Sequence, residues 1–414
     1  MPISLRHIQS CSITHNQSMN EPHRFVSIFA GCGGMDLGYL EAGFFPAAAF
    51  DVDAAAVAHH RRYFSAPAHI ADLRFGLPSE DRWSGVDVMI AGPPCQGFST
   101  AGKRRVEDER NSLLTLSGEL ARRIRPRVLV VENVAGALAG EHARFWRALE
   151  GMLREAGYRT HTLICQAADL GMAQLRRRVL MVAWRTGKDA RFPLPGQAAG
   201  RLADVLRGLD GIANHKPRPL ARGSVERKIA RRIRSGQKLC NVRAGRNAVP
   251  TWAIPEVFGE VTANEITVLE MLRRLRRQER ARDFGDADPV SLARLESALG
   301  TPFKRLIASL IAKGYVRRFD DQLDLAHTFN GKYRRLSWDA PSNTVDTRFG
   351  SPRYFLHPDE ARGFTVREAA RIQGFPDDYV FHGDERTQYR LIGNAVPPPL
   401  ARLAAEFTAH LLDT

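Results

Sequence analysis

Residues 25–34 read Phe-Val-Ser-Ile-Phe-Ala-Gly-Cys-Gly-Gly. An apolar run stops at a glycine-rich turn, and residues 35–42 continue with a helical pattern. Such a turn frees helix N–H groups and lets a ligand approach the backbone. A dinucleotide fingerprint calls for a third glycine where this chain has Asp36, so a pyrophosphate site is disfavoured. On its own the turn is also compatible with an ordinary strand–helix connection. Working outward, apolar runs recur at 47–50, 86–90, 128–131, 162–165 and 179–184, with helical patterns at 54–63, 112–124 and 144–156. Strands alternating with helices predict an α/β fold with a mostly parallel sheet covered on both faces. Ligands of such sheets sit outside the carboxyl ends of the strands. Asp51 ends the second run, where a carboxylate can accept two ribose hydroxyls, and Asp72 follows a third short run, placed to accept from an adenine amino group. Turn, acid and acid in that order read as a nucleoside site.

The run at 86–90 leads into Ala-Gly-Pro-Pro-Cys-Gln-Gly-Phe-Ser-Thr at 91–100. Cys95 on a rigid turn at the end of a buried strand is posed as a nucleophile, although a lone cysteine is often core filling. Glu132-Asn-Val134 ends the next strand on the same sheet edge. Gln174-Leu-Arg-Arg-Arg178 precedes the strand at 179–184, and alternation puts Arg176 and Arg178 on one side. Three adjacent arginines also suit a solvated face or phosphate contacts. Residues 97–111 hold Gly102, Lys103, Arg104, Arg105 and Arg110, which predicts either a mobile loop closing over a polyanion or an exposed basic loop.

The whole chain sets the limits. Its 414 residues suffice for two domains. Cys11, Cys32, Cys95, Cys165 and Cys240 are odd in number and scattered, without a CxxC pair, so neither a disulfide framework nor a zinc site is indicated and a reducing compartment fits. No run is long enough to span a bilayer. Residues 1–23 are polar and read as a mobile tail rather than a signal peptide, with Met19 a second candidate start. The formal charge is +15, and residues 201–250 carry 13 Lys+Arg against 3 Asp+Glu. That excess without an apolar stripe points to nucleic acid rather than a membrane surface.

The strand–helix rhythm breaks at Phe192, where Pro193, Pro195, Gly196 and Gly200 mark a linker. Thr262 and Glu265 form a capping-box pattern before an apolar helix, a second helix is stopped by Gly300, a third starts at Thr301-Pro302, and residues 315–325 suit a β-wing. This segment, 262–325, resembles a winged-helix DNA reader; a helical insert that only packs is equally consistent. Residues 364–373, opened by Thr365, and 398–411 read as helices.

Taken together these residues resemble the DNA cytosine-C5 methyltransferases of prokaryotic restriction–modification systems. The likeness follows the family's motif order over about two-thirds of the chain: 29–34, Asp51, Asp72, 92–99, 132–134, 174–178, then Arg367-Glu-Ala-Ala-Arg-Ile-Gln-Gly-Phe-Pro-Asp377 and Gly393-Asn-Ala-Val-Pro397. It implies a Rossmann-like S-adenosylmethionine-dependent sheet with a smaller target-recognition domain inserted before the C-terminal motifs. The corresponding divisions are tail 1–23, catalytic 24–191, target recognition 192–353 and catalytic return 354–414. It implies that Phe29, Gly31, Gly33, Gly34, Asp51, Val52, Asp72, Leu73, Pro94, Asn394 and Val396 border S-adenosylmethionine. Cys95 becomes the nucleophile, Glu132 the holder of the cytosine N3/N4 edge, Arg178 the contact to its O2, and Arg176 a support for the loop or a phosphate. Asp51 stands where the family usually has Glu, and Ala173 where Pro often precedes the Gln. The implied substrate is a cytosine flipped out of double-stranded DNA, the implied protein a cytoplasmic, nucleoid-associated monomer beside a cognate restriction endonuclease. Alternatives are a related transfer-RNA enzyme, which the basic insert disfavours, and a DNA-binding regulator without catalysis, which intact Cys95, Glu132 and Arg178 disfavour. An amino-group methylase is disfavoured because no Asp/Ser-Pro-Pro-Tyr/Trp segment occurs.

Overall fold

The first apolar run forms β1 (Arg24–Ile28), and Gly33 opens helix α1 (Gly34–Glu41). The alternation continues through β2 (Phe45–Asp51), α2 (Ala54–Tyr63), β3 (Ala68–Ile70), β4 (Val88–Ala91), α3 (Ser112–Ile124), β5 (Val128–Val134), α4 (Ala143–Glu155) and β6 (Arg159–Gln166). A short β7 (Gln174–Leu175) precedes β8 (Arg177–Trp184). Near the C-terminus come α5 (Val366–Gln373), α6 (Glu385–Asn394) and α7 (Pro398–Leu412). The structure is a computed structural model that describes residues 22–94, 112–193, 196–278, 280, 288–300 and 303–413. Cys95, the basic loop at 97–111, the helix start at Thr301-Pro302 and nearly all of the N-terminal tail lie outside the described residues.

Contacts divide the chain into a larger unit, Met1–Lys216 with Trp338–Arg348 and Thr365–Thr414, and a smaller unit, Pro217–Ser337 with Phe349–Phe364. The larger unit is built on a seven-stranded sheet in the order β3-β2-β1-β4-β5-β8-β6. The first five run parallel, and β8 is antiparallel to both β5 and β6. This is the expected Rossmann-like α/β sheet. Successive side chains take opposite faces: Val26, Met89, Leu129 and Met181 pack with α3 and α4, while Phe25, Val88, Val128 and Leu180 pack with α1 and α7. Both faces are covered, so the strands read as continuous apolar runs. The order reverses between β1 and β4, which opens a crevice at their carboxyl ends.

Two boundaries differ from the sequence reading. The strand expected to stop at residue 131 runs to Val134, because antiparallel β8 keeps pairing it as far as Val134 opposite Arg178. The passage to the smaller unit falls at Pro217 rather than residue 192. Phe192 is buried against Phe407 with ring centroids 4.8 Å apart, and the Leu202 amide donates to Ala340 O at 3.2 Å. Residues 338–348 also belong to the larger unit. There Ser342–Asn343 pairs parallel with β7 and the Thr344 hydroxyl donates to Leu175 O, so this polar run is a strand edge.

In the smaller unit, helix Val225–Arg232 is capped by Ser224 and buries Ile229 and Ala230 against Leu239, Val249 and Leu356. Buried Arg335 donates to the carbonyls of Ala230, Ile233, His357 and Glu360. A second core gathers Leu269, Leu272, Leu295, Ile307, Leu310 and Leu323. Its elements run helix Ala263–Gln278, strand Val290–Ser291, helices Leu292–Leu299 and Lys304–Ala312, then the hairpin Val316–Phe319 with Gln322–Leu325. Val290–Ser291 lies antiparallel to the second hairpin strand. Among the described residues no helix is long and apolar enough to cross a membrane, and no three metal-ligating side chains cluster.

Candidate active site

The turn after β1 is held in an unusual backbone conformation. Phe29, Gly31 and Gly33 all have positive φ, at 54°, 57° and 86°. Gly33 is required twice, since a Cβ there would lie 2.3 Å from the Phe64 ring in addition to the left-handed strain. A Cβ at Gly34 would lie 2.4 Å from the Val396 carbonyl oxygen, so the C-terminal segment seats directly on the turn. Among the described residues nothing lies within 4 Å of where a Cβ on Gly31 would point, which leaves that backbone open on one side. Asp36, fully buried, accepts from Ser27 Oγ at 3.0 Å and pairs with His60 Nε2 at 3.0 Å, bracing the turn from below.

Asp51 caps this arrangement from the end of β2. One oxygen accepts the Gly31 amide at 2.7 Å and the other the Asp53 amide at 2.8 Å. Burial pushes its carboxyl above the ordinary value, against the opposing pull of the Gly31 and Val52 amides. Val52 is 67% exposed, and Phe29 is partly buried against the core of the sheet. Leu73 is buried in the core beneath. Asp72 caps the short turn Leu73–Phe75 and is engaged by the Arg74 guanidinium at 2.6 Å; that hydrogen-bonded ion pair holds its carboxyl below the usual range. Here Asp72 faces an arginine, so an adenine amino group would have to share it. Val396 is buried, and its Cγ2 would lie 3.8 Å from a Cβ on Gly92; Asn394 is exposed.

At the end of β4, the Gly92 amide donates to Ile28 O at 3.3 Å. Asn133 Nδ2 donates to Pro93 O at 3.2 Å while its Oδ1 accepts the Val134 amide. Asn133 thereby fixes the backbone next to Pro94, immediately before Cys95 in the chain. The sequence reading treated this asparagine only as part of a motif. Its signal was a side-chain amide at a strand end, where a carbonyl from the neighbouring strand needs a donor.

Glu132 and Arg178 meet for a reason that the register supplies. Glu132 lies opposite Leu180, two residues from Arg178, and both positions share the face of Val130 and Val182. Arg178 Nε approaches Glu132 Oε1 to 2.8 Å, with each side chain about a tenth exposed. Their alignment misses hydrogen-bond geometry, so Glu132 Oε1 is a buried acceptor without a hydrogen-bond donor among the described residues. Arg178 Nη1 donates to Arg177 O at 2.8 Å.

Arg176, which the resemblance made a support for the loop or a phosphate, is turned to the loop. It is 2% exposed and donates to Val345 O at 2.9 Å, Gly393 O at 3.2 Å and Ala395 O at 2.9 Å. Three carbonyls consume the guanidinium, so it supports the loop and a phosphate contact is excluded by burial. Gln174 works beside it: its Nε2 donates to Ile372 O and Gln373 Oε1, and its Oε1 accepts the Val345 amide. Gln373 in turn donates to Ala395 O at 2.7 Å. Arg367, fully buried, donates to Ala213 O, Pro376 O and Tyr379 O. The polar motifs near the C-terminus thus act largely as braces for the segment carrying Asn394 and Val396.

Comparison with known proteins agrees with this geometry. The chain is 29% identical over 429 residues to the Type II methyltransferase M.AgeI of Thalassovita gelatinovora, covering 92% of this chain and 98% of that one. It is 30% identical over 394 residues to the Type II methyltransferase M.XorII of Xanthomonas oryzae pv. oryzae, covering 91% and 82%. In fold it is similar to the crystal structure of a prophage-encoded DNA modification methyltransferase from E. coli, with a TM-score of 0.57, 21% identity and coverage of 95% and 100%. The family model for C-5 cytosine-specific DNA methylases matches residues 23–408, the span that holds the glycine turn, the Glu132–Arg178 pair and the braced C-terminal loop, and the chain belongs to that family.

Proposed function

We propose that this DNA cytosine-C5 methyltransferase works on a cytosine extruded from a specific duplex site, through a transient bond between the Cys95 sulfur and ring carbon 6. The observation that carries the reading is the buried Glu132 oxygen beside Arg178. A cytosine offers an amino donor at N4, a nitrogen at N3 and an acceptor at O2, and a carboxyl next to a guanidinium complements that edge. The thiolate adds to carbon 6, its electron pair forming the C–S bond while the ring's pair moves toward N3 and O2. Glu132, protonated at N3, and cationic Arg178 at O2 stabilise that charge; one such preorganised group is worth about 3–4 kcal/mol. Carbon 5 becomes enamine-like. After methylation a base takes the C5 proton and the thiolate leaves, which restores the ring.

The glycine turn fits S-adenosylmethionine: the backbone is open at Gly31, the Asp51 carboxylate retains lone pairs for ribose hydroxyls, and exposed Val52 offers an apolar face. When bound, this molecule supplies an electrophilic methyl group. Phe29, Gly33, Gly34, Asp72, Leu73, Pro94, Asn394 and Val396 complete the proposed pocket. Extruding the base costs a few kcal/mol. The relatives' designation as Type II methyltransferases supports a restriction–modification role beside a cognate endonuclease. The test is a duplex carrying 5-fluorocytosine at the site mapped by bisulfite sequencing. With methyl donor, the wild-type protein should become covalently attached and Cys95→Ala should not. Methylation that survives in Cys95→Ala overturns the nucleophile.

A further inference from the structure

We propose that Arg390 is a positioning residue for the methyl donor, acting through its ion pair with Asp53 to align the two walls of the donor pocket. The proposal rests on the reading of the glycine turn as an S-adenosylmethionine site. The walls come from distant parts of the chain. One is the carboxyl end of β2 and the residues after it, Asp51, Val52 and Asp53; the other is α6, which ends at Asn394. Arg390 and Asn394 lie one turn apart, so they share a side of that helix.

A short chain of bonds carries the ion pair to the pocket. Both outer guanidinium nitrogens of Arg390 donate to the Asp53 carboxylate, Nη1 to Oδ2 and Nη2 to Oδ1 at 3.4 Å. The Asp53 amide donates to Asp51 Oδ1 at 2.8 Å, and Asp51 Oδ2 accepts the Gly31 amide at 2.7 Å. A charge on α6 thus fixes residue 53, residue 53 fixes the Asp51 carboxylate, and that carboxylate fixes the turn. Asp53 also caps α2 by accepting the Ala55 amide at 3.0 Å, which holds the local backbone. Charge acts in the same direction. Burial pushes the Asp51 carboxyl up, and Arg390 joins the Gly31 and Val52 amides in pulling it down. An ionised carboxylate is the stronger acceptor for ribose hydroxyls. Other bonds keep α6 in place. The Cys32 thiol donates to Leu391 O at 3.6 Å, Arg176 holds Gly393 O and Ala395 O, and Leu391 and Ile392 are buried. The Arg390 and Asp53 side chains are 39% and 27% exposed, and a pair so open to water adds little to stability. What it adds is alignment of a pocket whose two sides meet only in the folded chain.

The experiment is isothermal titration calorimetry of the full chain with S-adenosylmethionine and, separately, with S-adenosylhomocysteine, followed by steady-state methyl transfer. Arg390→Gln should weaken both ligands by at least about fivefold, the lower range of coupling between a remote contact and a binding site. The loss should be equal for the two, because only the first carries a sulfonium charge and alignment does not depend on it. It should shrink at high salt, which screens the pair in the wild type. The KM for the donor should rise in step while kcat at saturating donor and the melting temperature stay put, and Arg390→Lys should recover most of the affinity. Asp53→Asn, which keeps an acceptor for the α2 cap, should reproduce the loss, and Arg390→Gln added to it should cost little more. If Arg390→Gln binds both ligands as tightly as the wild type, or if its loss adds in full to that of Asp53→Asn, the pair does not position the donor and the proposal is overturned. If the wild type itself binds neither ligand, the donor-site reading fails instead.

Discussion

Arg176→Ala separates a bracing arginine from Arg178, the one proposed to meet the cytosine. The substitution removes the donor to Val345, Gly393 and Ala395 and leaves those carbonyls enclosed. Ala395 O retains the Gln373 amide, so two carbonyls lose their strongest partner and a third is weakened. Breaking a buried, charge-assisted set of this kind costs about 3–5 kcal/mol. Against a total stability of about 5–15 kcal/mol, that is a large share, and it should lower the melting temperature by roughly 10 °C. Gly393 and Ala395 flank Asn394, so the KM for S-adenosylmethionine should rise as well. With both substrates saturating and well below the new melting point, kcat should change little. Arg178→Ala also removes the partner of the buried Glu132 carboxylate and a bond to Arg177 O, so it too should destabilise, but there kcat should collapse even with both substrates saturating and well below the melting point. Urea unfolding and radiolabelled methyl transfer on both variants are the assays. An Arg176→Ala protein that melts like the wild type but has lost kcat would refute the bracing argument.

Three further outcomes follow from the geometry. Glu132→Gln keeps the shape but cannot supply the proton at N3, so kcat should fall about 10²–10³-fold with melting unchanged; equal loss of kcat and stability counts against its role. Gly33→Ala puts a methyl group into the Phe64 ring at a left-handed position, which should destabilise by about 2–4 kcal/mol and weaken donor binding measured by calorimetry. His59 is buried between Tyr379 and Phe381, its ring nitrogens without hydrogen-bond partners among the described residues, and burial pulls its pKa down to about 4 from 6.5, helped by nearby His382, Arg62 and His60. The unfolded chain therefore binds more protons between those values, and stability should drop as pH falls from 6.5 through 4. His59→Phe should flatten that part of the melting-versus-pH curve; an unchanged slope rejects the assignment.

The strands were legible because each is covered on both faces, which turns burial into uninterrupted apolar runs at 86–90 and 179–184. Helix ends were legible where a local code operates, as with Thr365 and Glu368, which exchange the two bonds of a capping box, and Gly300 at a left-handed C-cap. The extension of β5 through Glu132 was hidden, because it depends on a partner strand some 45 residues later. Helix α6 was missed since only Leu391, Ile392 and Gly393 are buried along it; its one signal, Asp384 accepting the Thr387 amide, is a single cap. At the site, residue types suggested Glu132 and Arg178 as a pair, but they left Arg176 undecided between the loop and a phosphate. What distinguishes it is a group of carbonyls 169 to 219 positions further along, and no local pattern encodes those.

That long span has a consequence for biosynthesis. Arg176 and Gln174 leave the ribosome long before the carbonyls that satisfy them, and the sheet face that α1 begins to cover is completed only when α7 emerges. A nascent polypeptide ending before residue 393 should therefore neither mature nor hold the methyl donor, which limited proteolysis of such a fragment would check. Synthesis itself then acts as a timer: an arrested or prematurely stopped translation product cannot mark the genome, and competence arrives only with the loop at 393–396 and the final helix α7.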